Sequence, residues 1–135
     1  MHIMPAWKRV PFHIDIDPAK PGRTQNWFDL GQLEQAMGRK ITWVYSNRIE
    51  PGKTAGSHFH HEHEVFVWVA EGEMVMHLRD ARSDEAETLV LKANSELLLV
   101  PGMVYHAGGN VTDKPCLVVM FASTKPRDAK DEYFL

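Results

Sequence analysis

Cysteine, long apolar runs and clustered positive charge are all scarce in this 135-residue chain. The single cysteine, Cys116, cannot form an internal disulfide, so a reducing compartment such as the cytoplasm is expected. No stretch approaches the ~18 apolar residues of a membrane-spanning helix, and the N-terminus lacks the apolar segment of a secretory signal. The net charge is −3, without the basic patch that attracts nucleic acids or acidic membranes. We therefore predict a cytoplasmic protein that binds neither nucleic acid nor a membrane.

Helix signals are also few, and most of the chain reads as short strands. Only Leu30–Met37 is predicted to be helical, with Asp29 as its N-cap and Gly38 as its stop. The remainder is rich in β-branched and aromatic residues and is interrupted by glycine and proline turns, a pattern typical of an all-β sandwich or barrel. The predicted strands cover residues 10–16, 24–30, 41–49, 65–70, 73–79, 88–91, 96–100 and 117–122.

The length of the chain and the apolar character of one strand predict the domain organisation and the oligomeric state. A length of 135 residues suits one domain, which we place over residues 1–135. Residues 1–23 contain several prolines and are predicted to form an arm that packs along a sheet edge or crosses to a partner. The strand at 65–69 is apolar on both faces, so one face fills the barrel while the other meets a second layer or a partner subunit. We therefore expect a homodimer.

The histidines stand out against this background, because four of the eight fall within six consecutive positions. Imidazole titrates near neutrality and is the commonest metal ligand in proteins. A solvated surface gains nothing from crowding these side chains, so their spacing indicates a functional site. The residues concerned are His58, His60, His61 and His63, together with the isolated His106.

Four of these positions can converge on one ion. His58 and His60 are two residues apart, so both side chains point to one face of an extended segment. The carboxylate of Glu64 begins the next strand, and His106 follows a later apolar strand and a turn. Three nitrogens and one oxygen suit Fe(II), Mn(II), Ni(II) or Zn(II) and leave positions open for a substrate. We predict a divalent metal ion as cofactor and a small molecule as substrate.

This pattern resembles the two sequence motifs of the cupin superfamily, which together with the intervening strands cover about 60 residues of the chain. The resemblance implies a small cupin-type jelly-roll β-barrel with metal ligands at His58, His60, Glu64 and His106. The first motif is carried by Gly52, His58, His60 and Glu64, and the second by Pro101, His106 and Asn110.

The resemblance is imperfect at its glycines. Gly72 arrives one residue late in the first motif, and if the strand register follows it, Val65 takes the position of the carboxylate. The ion would then have only three protein ligands or would recruit His63. In the second motif, Asn110 is either the family's supporting asparagine or a residue of the Gly-Gly-Asn turn.

Residues 47–61 are similar to the cupin modules that act on nucleotide-linked keto-sugars. These modules include the C-terminal cupin of capsular polysaccharide epimerase-reductases and the sugar 3,4-ketoisomerases, and residues 131–135 resemble the end of the capsular modules. Those enzymes tend to carry arginine or lysine where this chain has Gly56. Arg48 and Lys53 lie nearby and are candidates to replace it as phosphate ligands.

Three functions are compatible with these residues. The first is an isomerase or epimerase of a keto-sugar, in which His61 or His63 is the base and Tyr105 a proton donor. The second is an iron-dependent dioxygenase, and the third is a binding module without catalysis, because the fold alone does not fix the chemistry. Four aromatic residues are candidates either to stack on a ligand or to pack in the core. They are Trp43, Tyr45, Phe66 and Trp68.

Overall fold

Short strands separated by turns make up most of the chain, as expected. The computed structural model describes residues 5–10, 13–15, 18–126 and 129–134. Its strands are β1 (Lys8–Val10), β2 (His13–Asp15), β3 (Gln25–Trp27), β4 (Trp43–Ile49), β5 (Thr54–His58), β6 (Val65–Glu71), β7 (Glu73–Asp80), β8 (Ala86–Lys92), β9 (Leu97–Val100), β10 (Val104–Gly109) and β11 (Cys116–Ala122). One α-helix, α1 (Leu30–Met37), and a short 3₁₀ turn, Ala129–Asp131, complete the elements.

The strands form two main antiparallel sheets. One sheet has the order β1-β9-β6-β11-β4, the other has the order β5-β10-β7-β8, and β2 and β3 pair separately. Apolar side chains from both sheets form one buried cluster, so the sheets pack against each other around a shared core. This arrangement confirms the prediction of an all-β jelly-roll.

Strand β6 shows how alternation divides the core into two layers. Val65, Val67 and Val69 point between the sheets, whereas Phe66 and Trp68 point to the opposite side. There they pack with buried residues of α1. The apolar outer face, predicted to meet a second layer or a partner, is therefore covered by a helix of the same chain.

Helix α1 follows the sequence prediction at both ends. The Asp29 side chain accepts a hydrogen bond from the backbone N–H of Gln32, and Gly38 ends the helix with φ +78°. A left-handed residue at this position is costly for side chains other than glycine. No helix in the described ranges has the length and apolar character needed to cross a bilayer.

Two strands that carry histidines were absent from the sequence prediction. These are β5 and β10, which pair with each other and place His58 opposite His106. Both are rich in glycine and histidine, so local propensity gave little signal for them. Within the predicted arm, β1 pairs with β9 at a sheet edge, and β2 pairs with β3. Of the single strand predicted at 10–16, Val10 lies in β1 and residues 13–15 form β2, while positions 11, 12 and 16 lie outside the described residues.

Candidate functional site

Three histidines meet at the pairing of β5 with β10. His58 ends β5, His60 lies two residues beyond it, and His106 is the residue opposite His58 on β10. One ring nitrogen from each lies within 4.8 Å of the others. The ring centroids of His58 and His106 are 4.8 Å apart, and those of His58 and His60 are 4.5 Å apart. The predicted convergence of these three side chains is therefore what the structure shows.

A glycine permits this close approach of the two strands. Gly56 has φ +92°, and a Cβ atom added there would lie 2.8 Å from the carbonyl oxygen of His106. The pairing of β5 with β10 shifts register next to this point, between His106 and Ala107. No side chain fits at position 56 without moving the strand that carries His106, so an arginine or lysine is excluded there.

Two histidines of the cluster, His58 and His106, are held in their neutral, metal-binding form. Burial, followed by the charge of His58, lowers the pKa of His106 to about 3. Burial is also the largest cause that lowers the pKa of His58, and the charge of His60 adds to it. Neutral imidazoles offer a lone pair to a cation, and they repel one another less than imidazolium rings would.

Backbone carbonyls fix which nitrogen of two rings faces the cluster. Nδ1 of His60 lies 2.8 Å from the carbonyl oxygen of Asp131, and Nδ1 of His106 lies 3.3 Å from that of Val104. Because a carbonyl oxygen only accepts, both Nδ1 atoms carry the proton and each Nε2 is left as an acceptor. Metal-binding histidines are commonly oriented by such a second hydrogen bond.

These three residues fit a divalent first-row metal ion. In a tetrahedral site, two metal–nitrogen bonds of ~2.1 Å place their nitrogens about 3.4 Å apart. The nitrogens lie within 4.8 Å of one another, so a contraction of at most about 1.4 Å would bring them into range. Three imidazoles leave at least one coordination position open, which is the pattern of catalytic rather than structural metal sites.

A fourth histidine lies beside this cluster with different partners. The ring of His63 is 4.8 Å from that of His60, its Nδ1 is 2.8 Å from the Thr124 hydroxyl, and its Nε2 is 3.3 Å from the Tyr45 hydroxyl. Burial is the main cause that lowers the pKa of His63 to about 4. Burial also raises the pKa of Tyr45 to about 12. At neutral pH the pair therefore consists of a neutral imidazole and a protonated phenol.

The histidines open onto a cavity of about 670 Å³. This volume lies within the range of small-molecule sites. Its apolar wall comes from alternate residues of the two sheets, and exposed charged residues stand on its solvent side. The wall includes Val65, Val67, Met74, Met76 and Met120, and the charged residues are Arg48, Glu50 and Lys53.

Sequence comparison identifies the family. The model of the cupin domain family matches residues 47–122, which is more than half of the chain and includes the entire histidine cluster. The chain belongs to the cupin domain family. A search of curated proteins returned no significant match to this cupin.

Solved structures of other cupins share its fold. QdtA, a sugar 3,4-ketoisomerase from Thermoanaerobacterium thermosaccharolyticum in complex with TDP, superposes with a TM-score of 0.78 at 18% identity over 96% of this chain and 88% of that one. A mutant of QdtA was solved with TDP-4-keto-6-deoxyglucose. The rmlC epimerase of Mycobacterium tuberculosis gives 0.78 at 14% identity, over 100% of this chain and 71% of the other.

A third similar structure is the capsular polysaccharide assembling protein CapF from Staphylococcus aureus. It gives a TM-score of 0.65 at 24% identity over 72% of this chain but only 27% of CapF. At these identities the three likenesses establish a shared fold.

The carboxylate of the cupin motif does not join the histidines. Glu64 lies outside the cluster, and its Oε1 is 3.3 Å from Nε of Arg39. Because side chains alternate along a strand, the next residue, Val65, is the one that faces the cavity. The described residues therefore bring three histidine side chains together at this point. The strand register is the one expected from the late position of Gly72, with Val65 in place of the carboxylate.

Other predicted site residues are distributed around the cavity rather than within it. His61 is exposed and stacks on Tyr133, with ring centroids 4.1 Å apart. Tyr105 faces a second, shallower groove that also contains His77 and Phe134. Of the four aromatic candidates, only Tyr45 lines the cavity, since Phe66 and Trp68 lie beneath α1 and Trp43 is 44% exposed.

Asn110 supports the cupin fold rather than the histidines. It is buried, and its Nδ2 donates to the carbonyl oxygens of Ile49 and Lys114. Its Oδ1 accepts hydrogen bonds from the backbone and hydroxyl of Thr112. The side chain therefore closes the turn between β10 and β11 and ties it to the end of β4.

Three residues from the end of the chain reach the site and were not found from the sequence. Thr124 contacts His63, Asp131 contacts the loop after β5, and Glu132 lines the cavity. The negative charge of Glu132 acts to raise the pKa of His58, against the effect of burial. The resemblance of residues 131–135 to the capsular modules covered Asp131 and Glu132 but assigned them no role, because their partners lie about 70 positions away in the sequence.

Proposed function

We propose that this cupin is an isomerase or epimerase of a nucleotide-linked keto-sugar, acting by proton transfer at the carbon beside the carbonyl. The observation that carries this proposal is the pairing of His63 with the Tyr45 hydroxyl inside a cavity of suitable size. A general base next to a proton donor is what such a transfer requires. The shared fold with a sugar 3,4-ketoisomerase and an epimerase supports it.

In this mechanism His63 accepts the proton from the carbon beside the carbonyl. The electrons of the C–H bond form the C=C bond of an enolate, whose oxygen accepts a hydrogen bond from the Tyr45 hydroxyl. Delivery of a proton from water to the opposite face of the same carbon, with loss of the abstracted proton from His63 to water, inverts that centre. Return of the abstracted proton to the neighbouring carbon, with a hydroxyl proton passing between the two oxygens, moves the carbonyl by one position. Thr124, at Nδ1 of His63, holds the imidazole in one orientation.

The remaining cavity residues would contact either the sugar or the nucleotide part of the substrate. The apolar wall excludes water from the reacting carbon, and the exposed Arg48 and Lys53 supply positive charge for a diphosphate. Arg48 is paired with Glu50, its Nε 2.9 Å from the carboxylate, so it would exchange this partner for the phosphate.

His58, His60 and His106 would hold a divalent ion next to this pair. When bound, the ion supplies a Lewis acid that polarises a substrate oxygen. The open side of the cluster faces the same cavity as His63 and Tyr45, so a substrate oxygen and the reacting carbon would occupy one site.

Hydrogen exchange into the substrate tests the proposal. The purified protein is incubated in heavy water with TDP-4-keto-6-deoxyglucose, and deuterium at C3 and C5, which flank the carbonyl, is measured by NMR. The native chain is expected to catalyse exchange at one of them, whereas His63→Ala and Tyr45→Phe lower the rate about 10²-fold or more. The matched control is His61→Ala, since His61 lies in the same loop but outside the cavity lining.

The absence of exchange above the enzyme-free rate, across TDP-, UDP- and GDP-linked keto-sugars, would reject the proposal. An equal loss in His61→Ala and His63→Ala would reject the assignment of His63 as the base while leaving the reaction class intact.

A second candidate function is a metal-dependent dioxygenase, favoured by the three imidazoles that converge beside the cavity. Three protein nitrogens leave room on Fe(II) for both oxygen and substrate. Its test is oxygen consumption after anaerobic loading with iron. Zinc bound on purification, together with no oxygen uptake by the iron-loaded protein, would reject it. Failure of both assays would leave a non-catalytic binding module.

We further propose that the protein acts in the cytoplasm as a homodimer. Buried Cys116 is a free thiol, which is typical of a reducing compartment. On β4, at the edge of its sheet, Trp43 and Val44 are 44% and 57% exposed on opposite faces of the strand, so an apolar edge is left that a second subunit would cover. Sedimentation velocity at micromolar concentration would show a single species of twice the chain mass, and a monomer would refute the dimer.

A further inference from the structure

A single carboxylate near the end of the chain holds the loop that carries the histidines. This histidine loop, residues 59–63, connects β5 to β6. Oδ1 of Asp131 accepts from the backbone N–H of His61 at 2.9 Å, and Oδ2 accepts from that of His63 at 3.0 Å. The N–H of Glu62 lies between them, 3.2 Å from Oδ1 and 3.1 Å from Oδ2. Successive N–H groups aimed at one point form a site for a negative charge.

The same segment contacts the loop at two further places. The carbonyl oxygen of Asp131 accepts the hydrogen bond from Nδ1 of His60, at 2.8 Å. Phe59 and Tyr133 exchange both backbone hydrogen bonds at 2.9 Å, forming a bridge between the two segments. Residues 129–134 therefore lie along the histidine loop for most of its length.

These contacts determine where the histidine side chains point. The bond from Nδ1 of His60 leaves its Nε2 as the nitrogen available to a metal ion. With the backbone fixed at three consecutive N–H groups, His61 stacks outward on Tyr133 while His63 points into the cavity. On the other side of the loop, the carbonyl oxygen of His60 accepts from the N–H of Met103 at 2.6 Å. Nη1 of Arg39 also donates to the carbonyl oxygen of Glu62 at 2.9 Å, so the loop has contacts that do not depend on Asp131.

We propose that Asp131 is a positioning residue of the candidate site. Through the backbone of the histidine loop, its carboxylate sets the direction of His63, and through its carbonyl it sets the tautomer of His60. The effect on metal binding follows from the geometry alone, whereas any effect on turnover rests on the function proposed above. The segment that contains Asp131 would then form part of the cupin site.

The test compares the native chain with Asp131→Asn and Asp131→Ala, with Asp113→Asn as the matched control at an exposed carboxylate. Asparagine keeps the size of aspartate but replaces one acceptor oxygen with an N–H₂ group, so the N–H of His61 or of His63 loses its partner. Amide hydrogen exchange is measured at residues 61–63, and the tautomer of His60 is read from its ring nitrogen shifts by NMR, in metal-free protein. Zinc affinity is measured by competition with a chelator.

In both Asp131 variants we expect the amides of residues 61–63 to exchange about tenfold faster or more. The backbone carbonyl that binds Nδ1 of His60 is still present in both variants, but it moves away with the released segment, so His60 loses its single tautomer and zinc affinity falls by about 10- to 100-fold. Asp113→Asn should match the native protein in all three measurements. If Asp131→Asn is folded, as shown by native exchange in β6 and β11, and its loop amides, His60 tautomer and zinc affinity are unchanged, the proposal is wrong.

The same variants separate this inference from the proposed function. The native protein could catalyse no hydrogen exchange into keto-sugars while the Asp131 variants show faster exchange of the loop amides and weaker zinc binding. That result would support the role of Asp131 and reject the isomerase. Native exchange activity that survives unchanged in a folded Asp131→Asn would support the isomerase and reject a role for Asp131 in turnover.

Discussion

The direction of individual side chains decides which residues can take part in chemistry. Glu64 and Val65 are neighbours in the sequence, yet they face opposite sides of β6. The carboxylate pairs with Arg39, whereas the valine lines the cavity. Because the period of a strand is two residues, a register shift of one residue exchanges the two faces. Gly72, which comes one residue later than in the first cupin motif, is the sequence feature that predicts the exchange of Glu64 for Val65.

The first prediction concerns which carboxylate supports a bound cation. Glu132 lines the cavity and its charge acts on His58, whereas Glu64 lies outside the cluster. We expect Glu132→Gln to weaken zinc binding by about tenfold, because it removes negative charge beside the ligands. Glu64→Gln serves as the control and should change the affinity by less than about twofold, since only its ion pair with Arg39 is lost. The opposite ranking would show that Glu64 turns inward when metal is bound.

The second prediction concerns Gly56, where the two histidine strands approach most closely. Gly56→Ala is expected to lower the free energy of unfolding by about 2–4 kcal/mol, because the left-handed φ and the contact with the His106 carbonyl both add strain. Gly52→Ala is the control, since it has a similar φ of +77° but no atom within 4 Å of the added Cβ. It should cost only about 1 kcal/mol. Urea unfolding measures both, and equal costs would show that the approach of the strands is not tight.

At the scale of whole elements, the site depends on strands that are poor strand formers. β5 contains the glycine that lets its backbone approach β10, and the pairing of the two strands brings His58 beside His106. They are held by neighbours of better propensity, since β10 also pairs with β7 along six residues. The apolar strands therefore provide the stability, and β5 and β10 determine where His58 and His106 lie.

The third prediction tests the turn that fixes the end of β10. In Asn110→Ala the carbonyl oxygens of Ile49 and Lys114 lose their side-chain donor in a buried setting. We expect a loss of about 2–4 kcal/mol in the free energy of unfolding, measured by urea denaturation. Thr112→Ala, which removes only one of the groups bound to Asn110, should cost less than about 1.5 kcal/mol. If Asn110→Ala were as stable as the native protein, the turn would not constrain β10.

For the molecule as a whole, two packed sheets create an interior in which polar groups can be buried beside apolar ones. Val65 and Val67 come from one sheet and Met74 and Met76 from the other, and together they wall the space onto which the histidines open. Water is reduced in such a space, so burial favours the neutral form of His58, His63 and His106, and hydrogen bonds are stronger than in solvent.

The fourth prediction uses thermal unfolding to test for an ion bound to the native state alone. Free zinc at about 100 times its Kd should stabilise the native chain by about 2.7 kcal/mol and raise Tm by roughly 10 °C. The shift should disappear on addition of a chelator, and in His60→Ala and His106→Ala, which each remove one of three ligands. A full shift in either variant would mean that zinc binds elsewhere.

The sequence by itself determined the all-β class, helix α1 with both of its ends, and the meeting of His58, His60 and His106. The first two follow from local chemistry: strand periodicity, a capping aspartate and a left-handed glycine, which act over a few residues and can be read without coordinates. The meeting of His106 with the other two histidines was predicted from two separate motifs and their resemblance to those of the cupins.

Only the tertiary structure decided which residues surround that cluster. The pairing of His63 with Tyr45, the turning of Glu64 toward Arg39 and the hold of Asp131 on the histidine loop all join distant parts of the chain. Such contacts depend on how two sheets pack and on where the last residues of the chain lie. A side chain's partner across a fold is fixed by the packing of the whole chain, and no local pattern of residues encodes it.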